Sequence, residues 1–224
     1  MPQPLTTQEI YERLLSQYGH QAWWPADSPF EVIVGAILTQ NTAWTNVEKA
    51  LANLKAEKLL TPEKLARVSF PKLASLILPA GYYNQKAKKL KIFLDYLATE
   101  YELDLENFLA LPTERLREEL VSLWGIGEET ADSICLYAAN KPIFVVDAYT
   151  VRVFSRLGIV SEDISYAALQ TLFMSNLKHD GRLFNEYHAL IVRHGKWTCR
   201  KREPLCTECL LQKNCAYSNR QPIS

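Results

Sequence analysis

The chain has 224 residues, 48% of them hydrophobic, and its 25 Lys and Arg residues balance its 25 Asp and Glu residues. This length and composition supply one large or two small globular domains with a buried core. No run of about eighteen apolar residues occurs, and the N-terminus lacks the features of a signal peptide, so we expect a cytoplasmic protein that does not span a membrane. The balanced charge neither requires nor excludes a polyanionic partner.

Apolar residues recur at three- and four-residue spacing along most of the chain, which predicts an all-α protein. Thr6 and Glu9 form a capping box at the first predicted helix, and Thr61 followed by Pro62 marks a further helix start. Pro142, followed by β-branched residues, predicts a boundary between two domains. The predicted helices span residues 6–18, 29–39, 43–57, 85–101, 113–122, 128–139, 148–157, 165–178 and 182–194.

Two glycines separate consecutive amphipathic helices in the segment Leu-Trp-Gly-Ile-Gly at residues 123–127. Such a turn can point backbone N–H groups at a DNA phosphate, but it also serves as an ordinary connection between helices. Further along the chain, Asp147 follows an apolar run and precedes a predicted helix. A carboxylate at that place is either a functional group or a simple N-cap.

Four cysteines fall within a 17-residue window with the spacing C-x6-C-x2-C-x5-C: Cys199, Cys206, Cys209 and Cys215. Thiolates so close together need a shared cation to offset their repulsion. Zinc sites usually show two C-x2-C pairs, and this segment has one, so the spacing favours a [4Fe-4S] cluster over zinc. Disulfides, which are rare in the cytosol, and unrelated thiols are the remaining alternatives. The fifth cysteine, Cys135, lies in an apolar run and is assigned to the core.

Taken together, these motifs resemble the endonuclease III branch of the helix-hairpin-helix GPD superfamily of DNA glycosylases. The resemblance runs from the Pro-Phe pair at residues 29–30 through the segment 81–87, the hairpin, the Val-Val-Asp at 145–147 and the cysteine loop. It implies a two-domain endonuclease III-like fold. A six-helix barrel domain with the hairpin would span residues 29–141, and a terminal domain of residues 1–28 and 142–224 would carry the cluster loop, 199–215.

The resemblance also implies an activity: base excision repair by a DNA glycosylase that binds double-stranded DNA containing a damaged base in the cleft between its domains. Asp147 matches the catalytic aspartate of the family, and the cysteine loop matches its [4Fe-4S] loop. We expect a monomer that associates with the nucleoid.

Two departures from the family bear on mechanism. Bifunctional members carry a Schiff-base lysine where this chain has Glu129, and a carboxylate cannot form an imine. Adenine-mismatch members carry a catalytic glutamate in the helix where this chain has Gly-Ala-Ile-Leu at residues 35–38. Both departures favour a monofunctional enzyme that hydrolyses the N-glycosidic bond with Asp147.

An enzyme that lacks a general acid needs a leaving group that is already activated, such as an alkylated purine with a positive ring charge. Trp24 and Trp44, together with Trp23 and Pro25, are the candidate base pocket, because tryptophan faces attract a cationic base. Core aromatics are the alternative explanation. The pattern is most similar to the 3-methyladenine DNA glycosylases of endonuclease III type, here with an added iron-sulfur cluster loop.

Other positions match the DNA contacts of the family. The residues at its wedge positions, which fill the gap left by a flipped base, are Gln40, Asn41, Tyr82 and Tyr83, although a solvated loop would also explain the tyrosines. The expected phosphate-binding residues are Gly125, Ile126, Gly127, Arg200, Lys201 and Arg202.

Three other functions stay open on the sequence. One is a uracil or thymine mismatch glycosylase, whose pocket would need hydrogen-bonding groups for a neutral base. Another is an endonuclease III-like glycosylase with abasic-site lyase activity. The third is a non-enzymatic iron-sulfur protein that binds DNA or senses redox state, in which Asp147 only caps a helix.

Overall fold

The structure, a computed structural model, describes residues 5–220, and every regular element within that range is helical. This confirms the predicted all-α class. The α-helices are α1 (Thr7–Tyr18), α2 (Pro29–Leu38), α3 (Trp44–Ala56), α4 (Pro62–Arg67), α5 (Phe70–Leu76), α6 (Tyr83–Tyr101), α7 (Leu105–Ala110), α8 (Thr113–Ser122), α9 (Glu128–Ser133), α10 (Ala148–Leu157), α11 (Tyr166–Asn176), α12 (Gly181–Trp197) and α13 (Ala216–Arg220).

The structure contains the predicted helices and adds four short ones outside the predicted spans, α4, α5, α7 and α13, of which only α4 has a predicted start. Each has between five and seven residues, fewer than two helical turns, so its apolar residues cannot establish a period. A second difference is that α9 continues as a π-helix, Ile134–Ala138.

The predicted start signals are confirmed. Thr6 and Glu9 form a reciprocal capping box at α1, in which the Thr6 backbone N–H donates to the Glu9 carboxylate at 2.8 Å. The Thr61 hydroxyl caps α4, and Pro62 occupies the first turn, where its missing N–H costs no hydrogen bond.

Contacts divide the chain into two compact units, with the divisions after Trp23 and after Lys141. The unit from Trp24 to Lys141 holds α2 to α9 and the π-helix. Within it, all residues of α2 from Phe30 to Leu38 are buried, and the charged residue among them, Glu31, pairs with Lys55 of α3 at 2.7 Å. The other unit holds α1 and α10 to α13.

Aromatic side chains form the core of the unit that contains α1 and α10 to α13. Phe144 and Phe173 stack with ring centroids 3.8 Å apart, and Phe184 meets Phe144 edge to face. Tyr187 of α12 is fully buried, and its hydroxyl donates to the carbonyl oxygen of Thr7 at 2.7 Å, which fixes α12 against α1. Among residues 5–220, no helix is both long enough and apolar enough to cross a membrane.

Candidate active site

Asp147 is the N-cap of α10 and directly follows the buried run Ile143–Val146. Its Oδ1 atom accepts hydrogen bonds from the Thr150 backbone N–H at 2.7 Å and from the Thr150 hydroxyl at 2.8 Å. These bonds complete a capping box at the start of α10. The cap uses one carboxylate oxygen and leaves Oδ2 for other contacts.

The second oxygen of Asp147 faces α12, where His188 Nε2 lies 3.6 Å from Asp147 Oδ2. Both side chains are nearly buried, with exposed fractions of 8% for His188 and 13% for Asp147. Burial by itself raises the pKa of Asp147, but the contacts with His188 and Thr150 outweigh it and hold that pKa below its ordinary value. Asp147 is therefore ionised near neutral pH. No local pattern in the sequence points to His188, which is far from Asp147 in the chain and lies among the buried residues of α12.

Close packing at one glycine sets α10 against α12. A Cβ atom on Gly195 would lie 2.7 Å from the ring of Tyr149, so only glycine fits at this crossing. The Arg152 guanidinium donates to the Gly195 carbonyl oxygen at 2.6 Å and to the Cys199 carbonyl oxygen at 3.0 Å. The position of α10, and with it that of Asp147, is fixed on α12.

Three half-buried aromatic side chains meet in the unit that contains α2 to α9. Trp24 and Trp44 lie edge to face with ring centroids 4.9 Å apart, and Tyr137 lies 5.1 Å from Trp24. A Cβ atom on Gly35 would lie 3.2 Å from the Trp24 ring, so the indole packs directly over the backbone of α2. The structure thus brings together Trp24 and Trp44, as the pocket prediction requires.

The remaining members of the predicted pocket are placed differently. Pro25 is exposed, and Trp23 is half-buried and groups with the other compact unit. Sequence reasoning missed Tyr137, which lies in the π-helix that extends α9. A π-turn adds one residue to the helical repeat, so a period of 3.6 does not report the face on which Tyr137 lies.

The predicted wedge residues fall into two groups. The Gln40 amide is bonded inside the protein: it donates to the Gly125 carbonyl oxygen at 3.1 Å and to the Thr130 hydroxyl at 2.9 Å, and it accepts from the Lys89 ammonium group. Asn41 and Tyr82, by contrast, are exposed, and both have a left-handed backbone with φ of 55° and 44°.

Left-handed backbone costs a non-glycine residue on the order of 1–3 kcal/mol and often marks functional loops. At Tyr82 the side chain is 72% exposed, and its neighbour Tyr83 is 38% exposed. Both phenol rings are thus presented to solvent.

Several lysines of α6 contact neighbouring elements of the same unit. Lys86 is buried and donates to the Ala80 carbonyl oxygen at 2.7 Å, and burial lowers its pKa to about 8. Lys91 donates to the Ala66 carbonyl oxygen at 2.7 Å. Lys88 lies 4.4 Å from the centre of the Trp124 ring. Lys86 is therefore part of the protein interior, although a lysine on an amphipathic helix is usually solvated.

Gly125 is the hairpin residue that requires glycine. Its φ is 87°, and a Cβ atom there would lie 2.6 Å from the Lys89 side chain. Gly127 has ordinary φ as the N-cap of α9, and the Ile126 side chain is buried. Glu129, at the position of the family lysine, is exposed on the first turn of α9.

An ion pair between α8 and α9 stabilises the hairpin that joins these two helices. Arg117 of α8 donates to the fully buried carboxylate of Asp132 on α9, with Nε to Oδ1 at 2.6 Å, and also reaches Glu128 at 3.1 Å. Because one guanidinium group serves both ends of α9, the two helices that flank the hairpin hold a fixed angle.

The four clustered cysteines line one cavity, together with His194 and apolar side chains that include Val153 and Leu211. Burial raises the pKa of Cys209 to about 11, and the negative charges of the other three cysteines act in the same direction. Four thiols in an apolar cavity are a donor set that fits an iron-sulfur cluster. Among the described residues, no three His, Cys, Asp or Glu side chains form a ready-made site for a single metal ion.

Arg156 of α10 holds the backbone of the cysteine loop. It donates to the Cys199 sulfur at 3.4 Å, to the Arg200 carbonyl oxygen at 2.7 Å and to the Lys201 carbonyl oxygen at 3.1 Å. The side chains of Arg200, Lys201 and Arg202 are exposed. The loop is thus anchored by its carbonyl groups and presents its cationic side chains to solvent.

Comparison with known proteins identifies the family. Residues 34–179 match the family model described as HhH-GPD superfamily base excision DNA repair protein. A Methanocaldococcus jannaschii protein named "Putative DNA repair glycosylase MJ1434" is 49% identical over 92% of this chain and 94% of its own.

Two solved structures are also similar. The H. pylori 3-methyladenine DNA glycosylase bound to 1,N6-ethenoadenine has a TM-score of 0.76 at 33% identity, over 86% of this chain and 98% of that one. A trapped covalent intermediate of endonuclease III with DNA has a TM-score of 0.82 at 24% identity, over 96% and 98% of the two chains, which confirms the predicted fold. The chain belongs to the helix-hairpin-helix GPD superfamily of base excision DNA repair proteins and is a DNA N-glycosylase of its endonuclease III branch.

Proposed function

We propose that this glycosylase is monofunctional and removes alkylated purines such as 3-methyladenine from double-stranded DNA. The observation that carries the proposal is the group of half-buried aromatic rings formed by Trp24, Trp44 and Tyr137. The H. pylori 3-methyladenine glycosylase, 33% identical to this chain, supports the same substrate class.

The rings suit a cationic base. Aromatic faces are electron-rich, so a purine that carries a positive charge gains cation–π attraction in addition to stacking. The same charge makes the base a good leaving group, because the electron pair of the N-glycosidic bond neutralises the ring as it departs. The pocket therefore needs no general acid, which agrees with the absence of a carboxylate in the sequence at residues 35–38.

Asp147 is the proposed catalytic residue, and it acts on the deoxyribose. Its ionised carboxylate stabilises the positive charge that develops on the deoxyribose as the bond breaks. A water oxygen then bonds to the anomeric carbon, and the carboxylate orients that water and accepts its proton. The products are the free base and an abasic site.

Strand cleavage is not part of this proposal. Lyase chemistry of the endonuclease III kind needs an amine that attacks the sugar, and the chain has the carboxylate of Glu129 at the position of the family lysine. Lys86 and Lys89 have lowered pKa values, but each amino group is bonded inside the protein, to Ala80 and to Gln40. They act in the proposal as supports for the wedge loops.

The exposed residues of the predicted wedge and phosphate-binding sets are the proposed DNA contacts. Asn41 and Tyr82 extend from strained loops and would fill the gap in the stacked bases once a nucleotide flips out. Gln40 would hold the Asn41 loop against the hairpin rather than enter the DNA itself. The backbone of residues 125–127 and the cationic side chains at 200–202 would contact phosphates.

A [4Fe-4S] cluster is the proposed cofactor, held by Cys199, Cys206, Cys209 and Cys215. When bound, it would shape the loop that carries residues 200–202 and would take no part in bond breaking. The protein is proposed to act as a monomer in the cytoplasm, associated with the nucleoid.

Changing Trp24 tests the substrate class. Trp24→Leu keeps an apolar side chain but removes the π face, and we expect it to slow release of 3-methyladenine from methylated duplex DNA by about tenfold or more, given the energy of a desolvated cation–π contact. Trp24→Phe keeps a ring and should retain most of the rate. Release of a neutral lesion such as 1,N6-ethenoadenine should fall less in the leucine variant. Equal rates for leucine and phenylalanine would contradict an aromatic, cation-selective pocket.

A further inference from the structure

The carboxylate of Asp147 has two oxygens in different surroundings. Oδ1 carries the whole helix cap, since both Thr150 donors end on it. Oδ2 points to His188 of α12, 3.6 Å away. A residue that only capped α10 would have no use for a nearly buried histidine on the other side of its carboxylate, so the second contact requires its own explanation.

His188 is held firmly enough to act as an orienting group. It follows Tyr187, whose buried hydroxyl is bonded to the backbone of α1. About two turns further along α12, Gly195 fixes the crossing with α10 through Tyr149 and Arg152. The distance between His188 and Asp147 is therefore set by two anchored helices and not by a flexible side chain.

We propose that His188 is a positioning residue for Asp147: its Nε2 atom faces Oδ2 across 3.6 Å, closes to a donated hydrogen bond in the complex with DNA, and so aims the ionised carboxylate at the deoxyribose and its attacking water. This inference rests on the proposed role of Asp147 in hydrolysis. Without the donor, Thr150 is the remaining partner that the described residues offer to the carboxylate, and it holds Oδ1 but not Oδ2. A second consequence concerns the pKa of Asp147. The contact with His188, which lowers this pKa, is lost, whereas burial still raises it.

Paired substitutions separate this role from packing. His188→Gln places an amide N–H close to the position of Nε2, whereas His188→Met has nearly the same length and volume but no donor. We expect the methionine variant to cleave methylated DNA about ten- to hundredfold more slowly under single-turnover conditions, as for loss of a hydrogen bond to a charged group. The glutamine variant should stay within about threefold of the wild type on the same scale.

If His188 only positions Asp147, its replacement should leave the affinity for DNA unchanged. Both variants should bind a duplex with an abasic-site analogue as tightly as the wild type, so that the loss lies in the rate and not in Kd. Should methionine prevent folding, His188→Asn, whose amide is one methylene too short to reach Oδ2, replaces it. Full activity in both donor-less variants, or equal losses in the glutamine and methionine variants, would overturn the proposal.

Measuring Asp147→Asn in the same assay separates a failure of the role proposed for His188 from a failure of the hydrolysis proposed for Asp147. If that variant is inactive while all His188 variants are fully active, the role of His188 is wrong and the proposed hydrolysis by Asp147 stands. If Asp147→Asn is itself active, the proposed function fails.

Discussion

Replacing Asp147 by asparagine is expected to leave DNA binding intact and to reduce base release by about a thousandfold or more, as when a group that stabilises transition-state charge is removed. Asparagine is as good an N-cap as aspartate, and its side-chain oxygen can still accept from Thr150. The substitution therefore keeps the helix cap but removes the negative charge and the Oδ2 acceptor that faces His188. Single-turnover release of free base from methylated duplex DNA, with Kd measured by fluorescence anisotropy, checks this result.

A second substitution at Asp147, by another residue that caps helices, strengthens the comparison. Asp147→Ser retains a cap oxygen but loses the carboxylate, and it should be as inactive as the asparagine variant. Thr150→Val removes one of the two bonds to Oδ1 while the backbone N–H remains, so it should lose about 1 kcal/mol of stability and keep most of its activity. If asparagine and serine variants retained full activity, Asp147 would be a cap and no more.

Replacing Cys206 by serine is expected to remove the proposed cluster and to destabilise the unit that contains the cysteine loop by more than about 4 kcal/mol, the range typical of a lost structural metal. The cysteines line one cavity with Val153, Leu211 and His194, so the packing around them depends on what fills it. Iron content, visible absorption and thermal unfolding measure the change. DNA affinity should fall as well, since Arg200, Lys201 and Arg202 lie within the same loop.

Cys135 provides the matched control for this substitution. It is fully buried in the other compact unit, and burial raises its pKa to about 12, as expected for an inert core thiol. Cys135→Ala should lose some stability through a small cavity but keep its iron. A Cys206→Ser protein that is well folded, binds DNA tightly and is still inactive would contradict the purely structural role of the cluster.

Much of the candidate site could be predicted because its residues carry local signals. Asp147 stands between an apolar run and a helix, the cysteines are close in sequence, and Trp24 and Trp44 flank the first buried helix. Each of these features is visible in a window of a few residues. Their combination, in chain order, indicated the family.

Other parts of the site depend on long-range packing. Tyr137 reaches Trp24 because α9 passes into a π-helix, and no periodic pattern reports that change of register. Lys86 looks like a solvated lysine in sequence, yet it is buried and holds the Ala80 carbonyl group. His188 meets Asp147 only because Gly195 permits the close crossing of α10 and α12.

The measurement that tests the central claim most directly is a set of duplexes, each with one defined lesion, in which free base and strand breaks are quantified in the same reaction. The wild-type protein should release 3-methyladenine in preference to uracil or mismatched thymine, and the strand should stay intact until alkali is added. Preferred release of uracil or thymine, or strand cleavage without alkali at a rate matching base release, would contradict the account of a monofunctional alkylpurine glycosylase.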